Sequence, residues 1–90
     1  FFNGATASLK KIEEIETVKI YPNPAVDYIQ LASKDLIREI AIYNSQGVLV
    51  KSLSNYNRGL IQVNDLASGP YYMIFTFNNG KLGVSRLTRI

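Results

Sequence analysis

The side chains that most often do chemistry in proteins are scarce in this chain. It contains no histidine and no cysteine, which removes the commonest general base and metal ligand, any thiol nucleophile and any disulfide. Its seven carboxylates could pair for acid–base work, but they are scattered. They are Glu13, Glu14 and Glu16 in one polar stretch, then Asp27, Asp35, Glu39 and Asp65. The sequence therefore predicts no enzyme, no metal site and no cofactor.

Charge and hydropathy exclude two further classes of partner. The net charge is +3, but the basic residues are spread singly and form no stripe, so they are typical of a solvated surface and not of nucleic-acid binding. No apolar run approaches the ~18 residues that a membrane-spanning helix needs. Residues 1–8 lack the basic start and apolar stretch of an export signal. We therefore expect a piece from the end of a longer protein, with no transmembrane segment.

Apolar periodicity divides the chain in two. Residues 1–16 are interpreted as a linker, or as the end of a preceding region, in which Leu9–Glu16 could form a short helical turn. From residue 17 to residue 90 apolar and polar residues alternate, as in strands with one buried face. Seven short strands are predicted: Thr17–Tyr21, Asp27–Ser33, Leu36–Tyr43, Val48–Leu53, Leu60–Asn64, Tyr71–Phe77 and Lys81–Ile90. This pattern predicts an all-β, immunoglobulin-like antiparallel β-sandwich.

Prolines and glycines mark the ends of these strands. Pro22 and Pro24, on either side of Asn23, fix φ and lack a donor, so this segment is predicted to end the first strand and redirect the chain. An extended proline-containing ligand is the alternative interpretation. Gly47 and Gly80 are the last residues of two asparagine-containing turns, at 44–47 and 78–80, and are expected to take positive φ.

The segment from Leu66 to Tyr71 resembles a tyrosine corner, in which a tyrosine side chain bonds back to upstream backbone. Leu66 would then plug the end of the sandwich, and Gly69 would take the conformation that the corner demands. Beyond it, Tyr71, Met73, Phe75 and Phe77 share one face of a strand and are predicted to be core. Tyr72 lies on the other face and is expected to be exposed.

The chain ends on a basic and apolar strand. Alternation places Leu87 and Arg89 on one face, and Arg86, Thr88 and Ile90 on the other. Two interpretations stay open: the charges protect an edge strand from unwanted pairing, or the strand is an address that a partner reads, since no tail follows it. Edge strands of this kind also predict a possible homodimer.

These features occur together in a fixed order. Tyr-Pro-Asn-Pro at 21–24 precedes a strand, glycine turn and strand at 40–50, the corner motif at 63–73 and the basic terminus. Over residues 18–90 this order resembles the C-terminal sorting domain carried by cargo of the type IX secretion system of Bacteroidetes. Residues that match the family's motifs are Pro22, Pro24, Gly47, Leu66, Gly69, Tyr71, Arg86, Leu87, Arg89 and Ile90. The chain departs from the family in carrying arginine instead of lysine near its end, and Pro70 where a β-branched residue is usual.

The resemblance implies a function and a set of partners. Such a domain follows an upstream cargo domain through the outer-membrane machinery, and a sortase-like peptidase then cuts it from the cargo. The chain is therefore expected to be exported, in the periplasm during transit and then at the cell surface or outside the cell. The peptidase is expected to cut within Asn3–Ser8. The secretion machinery is expected to recognise the edge backbone groups of the last strand together with Arg86 and Arg89.

A second class of function stays open beside this one. A small adhesion or carbohydrate-binding module would need exposed aromatic rings on which a sugar could stack. The candidates are Tyr43, Tyr56 and Tyr72.

Overall fold

The computed structural model describes residues 15–33, 35–54 and 59–90, and within them the chain forms eight strands and no helix. The strands are β1 (Glu16–Thr17), β2 (Lys19–Tyr21), β3 (Tyr28–Ala32), β4 (Ile37–Asn44), β5 (Leu49–Ser54), β6 (Ile61–Gln62), β7 (Gly69–Phe77) and β8 (Leu82–Arg89). This confirms the predicted all-β class. Most of the expected linker, with its helical turn, lies outside the described residues.

Two sheets form the sandwich. The larger has the strand order β1-β8-β7-β4-β5, and the smaller has the order β2-β3-β6. The nine-residue β7 lies at the centre of the larger sheet, so it pairs with the last strand on one side and with β4 on the other. In this register Tyr72 lies opposite both Arg86 and Tyr43.

The predicted first strand, Thr17–Tyr21, is divided between the sheets. Glu16 and Thr17 pair with β8, whereas Lys19–Tyr21 pairs with β3. The β1–β8 ladder is parallel, which corrects the expectation of a wholly antiparallel sandwich. Glu16, assigned to the linker, belongs to β1. A strand of two residues is too short to leave a periodicity in the sequence.

The core is built from the inward-facing residues of both sheets. Tyr71, Met73, Phe75 and Phe77 of β7 are all buried, as predicted, and Tyr72 is exposed. The opposing sheet and the loops contribute further buried apolar residues, among them Ile20, Ala25, Ile29, Ile61, Val63 and Leu66. Burial of these side chains is the main term that stabilises a domain without disulfides.

One glycine of β8 permits the larger sheet to accept its parallel strand. A Cβ atom at Gly83 would lie 2.7 Å from Cγ2 of Val18 and 3.0 Å from Cε2 of Phe77. The side chain of the buried Val18 therefore packs directly against Gly83, where an added Cβ atom would overlap it. Sequence reasoning did not single out this glycine.

The predicted turns are confirmed. Gly47, Gly69 and Gly80 have φ values of 82°, 143° and 88°. The amide of Gly47 donates to the carbonyl of Asn44, and that of Gly80 donates to the carbonyl of Phe77, each at 2.9 Å. Both proline peptide bonds at 21–22 and 23–24 are cis.

Candidate recognition site

The outer edge of β8 is covered by the chain itself. The carbonyl of Val84 accepts a hydrogen bond from the amide of Val18 at 2.8 Å. Further along, the amide of Ala25 donates to the carbonyl of Thr88 at 2.8 Å, and the amide of Ile90 donates to the carbonyl of Ala25 at 2.9 Å. Val18 and Ala25 therefore lie beside the last strand, while β2 between them pairs with β3 in the smaller sheet.

Asn23 fills the gap between these backbone contacts. Its side-chain Nδ2 donates to the carbonyl of Arg86 at 2.8 Å, and its Oδ1 accepts from the amide of Thr88 at 3.0 Å. Pro22 and Pro24 have no amide hydrogen to donate to a strand, so the primary amide between them supplies both a donor and an acceptor. The expectation that the backbone edge of the last strand is open to a partner is therefore wrong.

The Arg89 side chain forms hydrogen bonds with backbone carbonyls of its own domain. Its Nε donates to the carbonyl of Val63 at 2.9 Å and its Nη2 to the carbonyl of Asn64 at 3.2 Å, while Nη1 donates to the carbonyl of Ile90. The side chain is half-buried on the face it shares with Leu87, as the alternation predicted. The guanidinium thus fastens the end of β8 to the turn that follows β6.

Arg86 points the other way and is exposed. Its Cζ lies 5.8 Å from the centroid of the Tyr72 ring, a distance at which a cation and a ring attract each other. Tyr72 is 47% exposed and Ile90 is 63% exposed. A shallow, mainly apolar depression of about 350 Å³ adjoins Arg86 and Tyr72. It is lined by Thr17, Tyr72, Met73, Ile74, Val84, Ser85 and Arg86.

The tyrosine corner is present and lies against the end of β8. The Tyr71 hydroxyl donates to the carbonyl of Ala67 at 2.5 Å, and Leu66 is buried. In the β7–β8 register Gly69 lies opposite Arg89, and Tyr71 lies opposite Leu87. The corner motif is therefore the direct neighbour of the terminal motif.

Motifs far apart in the sequence thus meet around one short strand. Residues 69–72 of β7 pair with Arg86–Arg89 on one side, and Asn23 and Ala25 bond to the same stretch on the other. The turn of Gly47 follows Asn44, which lies opposite Tyr71. The turn of Gly80 lies at the opposite end of the β7–β8 hairpin, away from this cluster.

An ion pair lies next to this site. Lys51 Nζ of β5 is 3.0 Å from Oδ2 of Asp65, in the turn whose carbonyls Arg89 holds. The hydrogen bond from Lys51 is the largest cause that lowers the pKa of Asp65 below its ordinary value, and the charge of Arg89 acts in the same direction. The pair stands at the solvent-facing side of the sandwich, where screening is strong.

Comparison with known families gives this arrangement a context. The family model of secretion system C-terminal sorting domains matches residues 19–87. The chain belongs to this family. The resemblance to the sorting domains of type IX secretion is therefore confirmed. No curated protein and no solved structure matches the chain.

The family match covers the tyrosine corner and Arg86, but it ends at Leu87. Arg89 and Ile90 lie beyond it. The part that Gly69, Tyr71, Arg86, Leu87, Arg89 and Ile90 play in a sorting signal stays a prediction. The described part of the sorting domain contains no helix long and apolar enough to cross a membrane.

The aromatic candidates for a sugar-binding platform are placed in part. Tyr43 is half-buried and lies opposite the exposed Tyr72 on neighbouring strands. Tyr56 lies outside the described residues. The two rings therefore lie on the same face of the sheet, where they could stack on a sugar.

Proposed function

We propose that this sorting domain is a non-catalytic secretion address. It directs a cargo protein attached upstream through the outer-membrane machinery of type IX secretion, and a sortase-like peptidase then removes it. One observation carries the proposal: the proline segment and the tyrosine corner both hold Arg86–Ile90 in place. A domain whose motifs converge on its last strand is built to present that strand.

Side chains, and not the backbone edge, form the recognition surface. The outer edge of β8 is closed by Asn23 and Ala25, so a partner cannot add a strand there without displacing them. Arg86 and Ile90 at the end of the chain and Tyr72 on the neighbouring β7 are exposed side chains that a partner could contact. A guanidinium above an aromatic ring keeps its edge donors for a carboxylate. The surface therefore fits a partner that offers carboxylates next to apolar groups.

Arg89 has a positioning role in this proposal. Its hydrogen bonds go to Val63, Asn64 and Ile90 of its own chain, so it fixes where the strand ends. A lysine at this place would offer a point charge in place of the planar fork that bridges neighbouring carbonyls.

Removal of the domain after transport would leave the sandwich whole. The first strand of the described residues begins at Glu16, downstream of the proposed cut within Asn3–Ser8, so all eight described strands stay together in the released domain. During transit the precursor would occupy the periplasm, and the cargo would finally be at the cell surface or outside the cell.

A reporter fusion tests the address. A reporter with its own export signal is joined to the N-terminus of the 90-residue chain and expressed in a bacterium that has type IX secretion. In this strain we expect the reporter at the cell surface, with the sorting domain already cut off. In a strain that lacks the secretion machinery, we expect the uncut fusion to stay in the periplasm. Equal surface amounts in the two strains would contradict the address, and a surface reporter with the domain still attached would contradict the cut.

The register pair Tyr43 and Tyr72 favours one other function, a carbohydrate-binding module. Titration with surface glycans, followed by tyrosine fluorescence, separates the two. A saturable change that is lost in Tyr72→Ala supports sugar binding, and an unchanged signal with every glycan rejects it.

A further inference from the structure

The two edges of the larger sheet differ sharply. On one edge β8 is covered by residues 16–17, Asn23 and Ala25. On the other edge lies β5, and no strand of the described residues pairs with its outer side. An open edge is a template for another strand, and soluble proteins usually guard it with charge, proline or irregularity.

The side chains at this open edge are apolar. Val48, Leu49 and Val50 are 54%, 51% and 41% exposed. A bulge at Val50 shifts the β4–β5 register, so the regular part of the edge runs from Lys51 to Ser54. A short regular edge beside a patch of exposed apolar side chains offers backbone hydrogen bonds and apolar burial together.

The single charged side chain of β5 is directed to its own chain. Lys51 Nζ donates to the carbonyl of Gln62 at 2.7 Å and to both oxygens of the Asp65 carboxylate. Its charge is therefore compensated by Asp65. Repulsion between like charges is one feature that prevents an edge strand from pairing with its own copy. The only charged side chain of β5 is Lys51, and its charge is paired with Asp65.

We infer that β5 pairs with β5 of a second copy of this chain. The contact is isologous and antiparallel, and it joins two five-stranded sheets into one continuous sheet. Antiparallel pairing centred on Ser52 places Lys51 of each copy opposite Leu53 of the other, and brings the exposed Val50 of each copy towards Ser54 at the two ends of the contact. Because Lys51 is compensated in each copy, the charges do not oppose the contact. The dimer stands independently of the secretion role.

Sedimentation equilibrium from micromolar to millimolar concentration tests the inference. We expect the average mass to rise with concentration towards twice the monomer mass. Val50→Lys places a charge on the edge and should remain monomeric throughout. Val26→Lys is the matched control, because Val26 is 53% exposed and lies outside β5, and it should dimerise as the parent does. A parent that stays monomeric, or a Val50→Lys variant that still dimerises, overturns the inference.

Disulfide trapping locates the contact without a charge change. The chain has no cysteine, so one introduced thiol reports on its own surroundings. Under mild oxidation Ser52→Cys should form a covalent dimer several times faster than Ser68→Cys, an exposed site outside the edge. Equal rates for the two variants would show that β5 is not the contact.

Discussion

Asn23 accepts a hydrogen bond from the backbone amide of Thr88, 65 residues further along the chain, at 3.0 Å. The same side chain donates to Arg86. One side-chain amide thus supplies the hydrogen-bond donor and the hydrogen-bond acceptor that the backbone of a neighbouring strand would otherwise supply to β8. This relationship explains why asparagine stands between two prolines that have no donor of their own.

Replacing Asn23 should loosen the end of β8. Asn23→Ala removes one donor and one acceptor, and we expect a loss of about 1–3 kcal/mol in the free energy of unfolding. Amide exchange at Thr88 should become faster, because its acceptor is gone. Urea unfolding and hydrogen exchange measure the two effects. Asn78→Ala, at an exposed hairpin asparagine, serves as control; if Asn23→Ala behaves like it, the bridging role is wrong.

The tyrosine corner predicts an effect from a single hydroxyl group. Tyr71→Phe keeps the ring in the core and removes the donor to Ala67. A hydrogen bond of this kind contributes about 0.5–1.5 kcal/mol net, and we expect a loss of that size in urea unfolding. Tyr72→Phe, on the exposed face of the same strand, should change stability by less; equal losses would contradict the corner's role.

Gly83 and Val18 should show strong coupling. Gly83→Ala places a methyl group 2.7 Å from the Val18 side chain, and overpacking of this kind costs about 1–3 kcal/mol. Val18→Ala removes the clashing methyl, so the double variant should be more stable than the sum of the two single losses predicts. A double-mutant cycle by urea unfolding measures this interaction. Strict additivity would mean that the two residues are not in contact.

The Lys51–Asp65 pair should make stability depend on acid pH. The pKa of Asp65 is lowered in the folded state, so the pair stabilises the domain above the ordinary aspartate pKa of about 3.9. That contribution is lost as the pH falls through the folded-state pKa. The melting temperature should therefore fall more steeply with decreasing pH for the parent than for Asp65→Asn. If the melting temperatures of both proteins fall equally, the ion pair does not stabilise the domain.

Much of the fold follows from local sequence signals. The alternation of β7 fixes which of its residues are core, and Gly47, Gly69 and Gly80 occupy the backbone conformations that their turns require. The split of the first strand could not be predicted in this way. It depends on Gly83, whose role appears only when Val18 is packed against it, and tertiary contacts of this kind leave no local pattern.

The sequence identified the residues of the candidate site but not the hydrogen bonds that join them. Alternation gave the faces of Arg86 and Arg89 correctly, since it depends only on the geometry of a strand. It could not show that Arg89 binds the carbonyls of the turn after β6, nor that Asn23 closes the edge. Both depend on where distant segments lie in space, and in each case a side chain bonds to the backbone of another element.

Charge reversal at Arg86 in the reporter fusion tests most directly whether the outward face of β8 is the address. Arg86→Glu leaves the core and the edge contacts in place, so the domain should remain folded by urea unfolding. We expect the amount of reporter at the surface to fall about tenfold, the effect of losing about 1.4 kcal/mol of binding, with the precursor retained in the periplasm. Lys81→Glu, the same reversal at an exposed residue of the opposite hairpin end, should export normally. Export of Arg86→Glu at the level of Lys81→Glu would contradict the account.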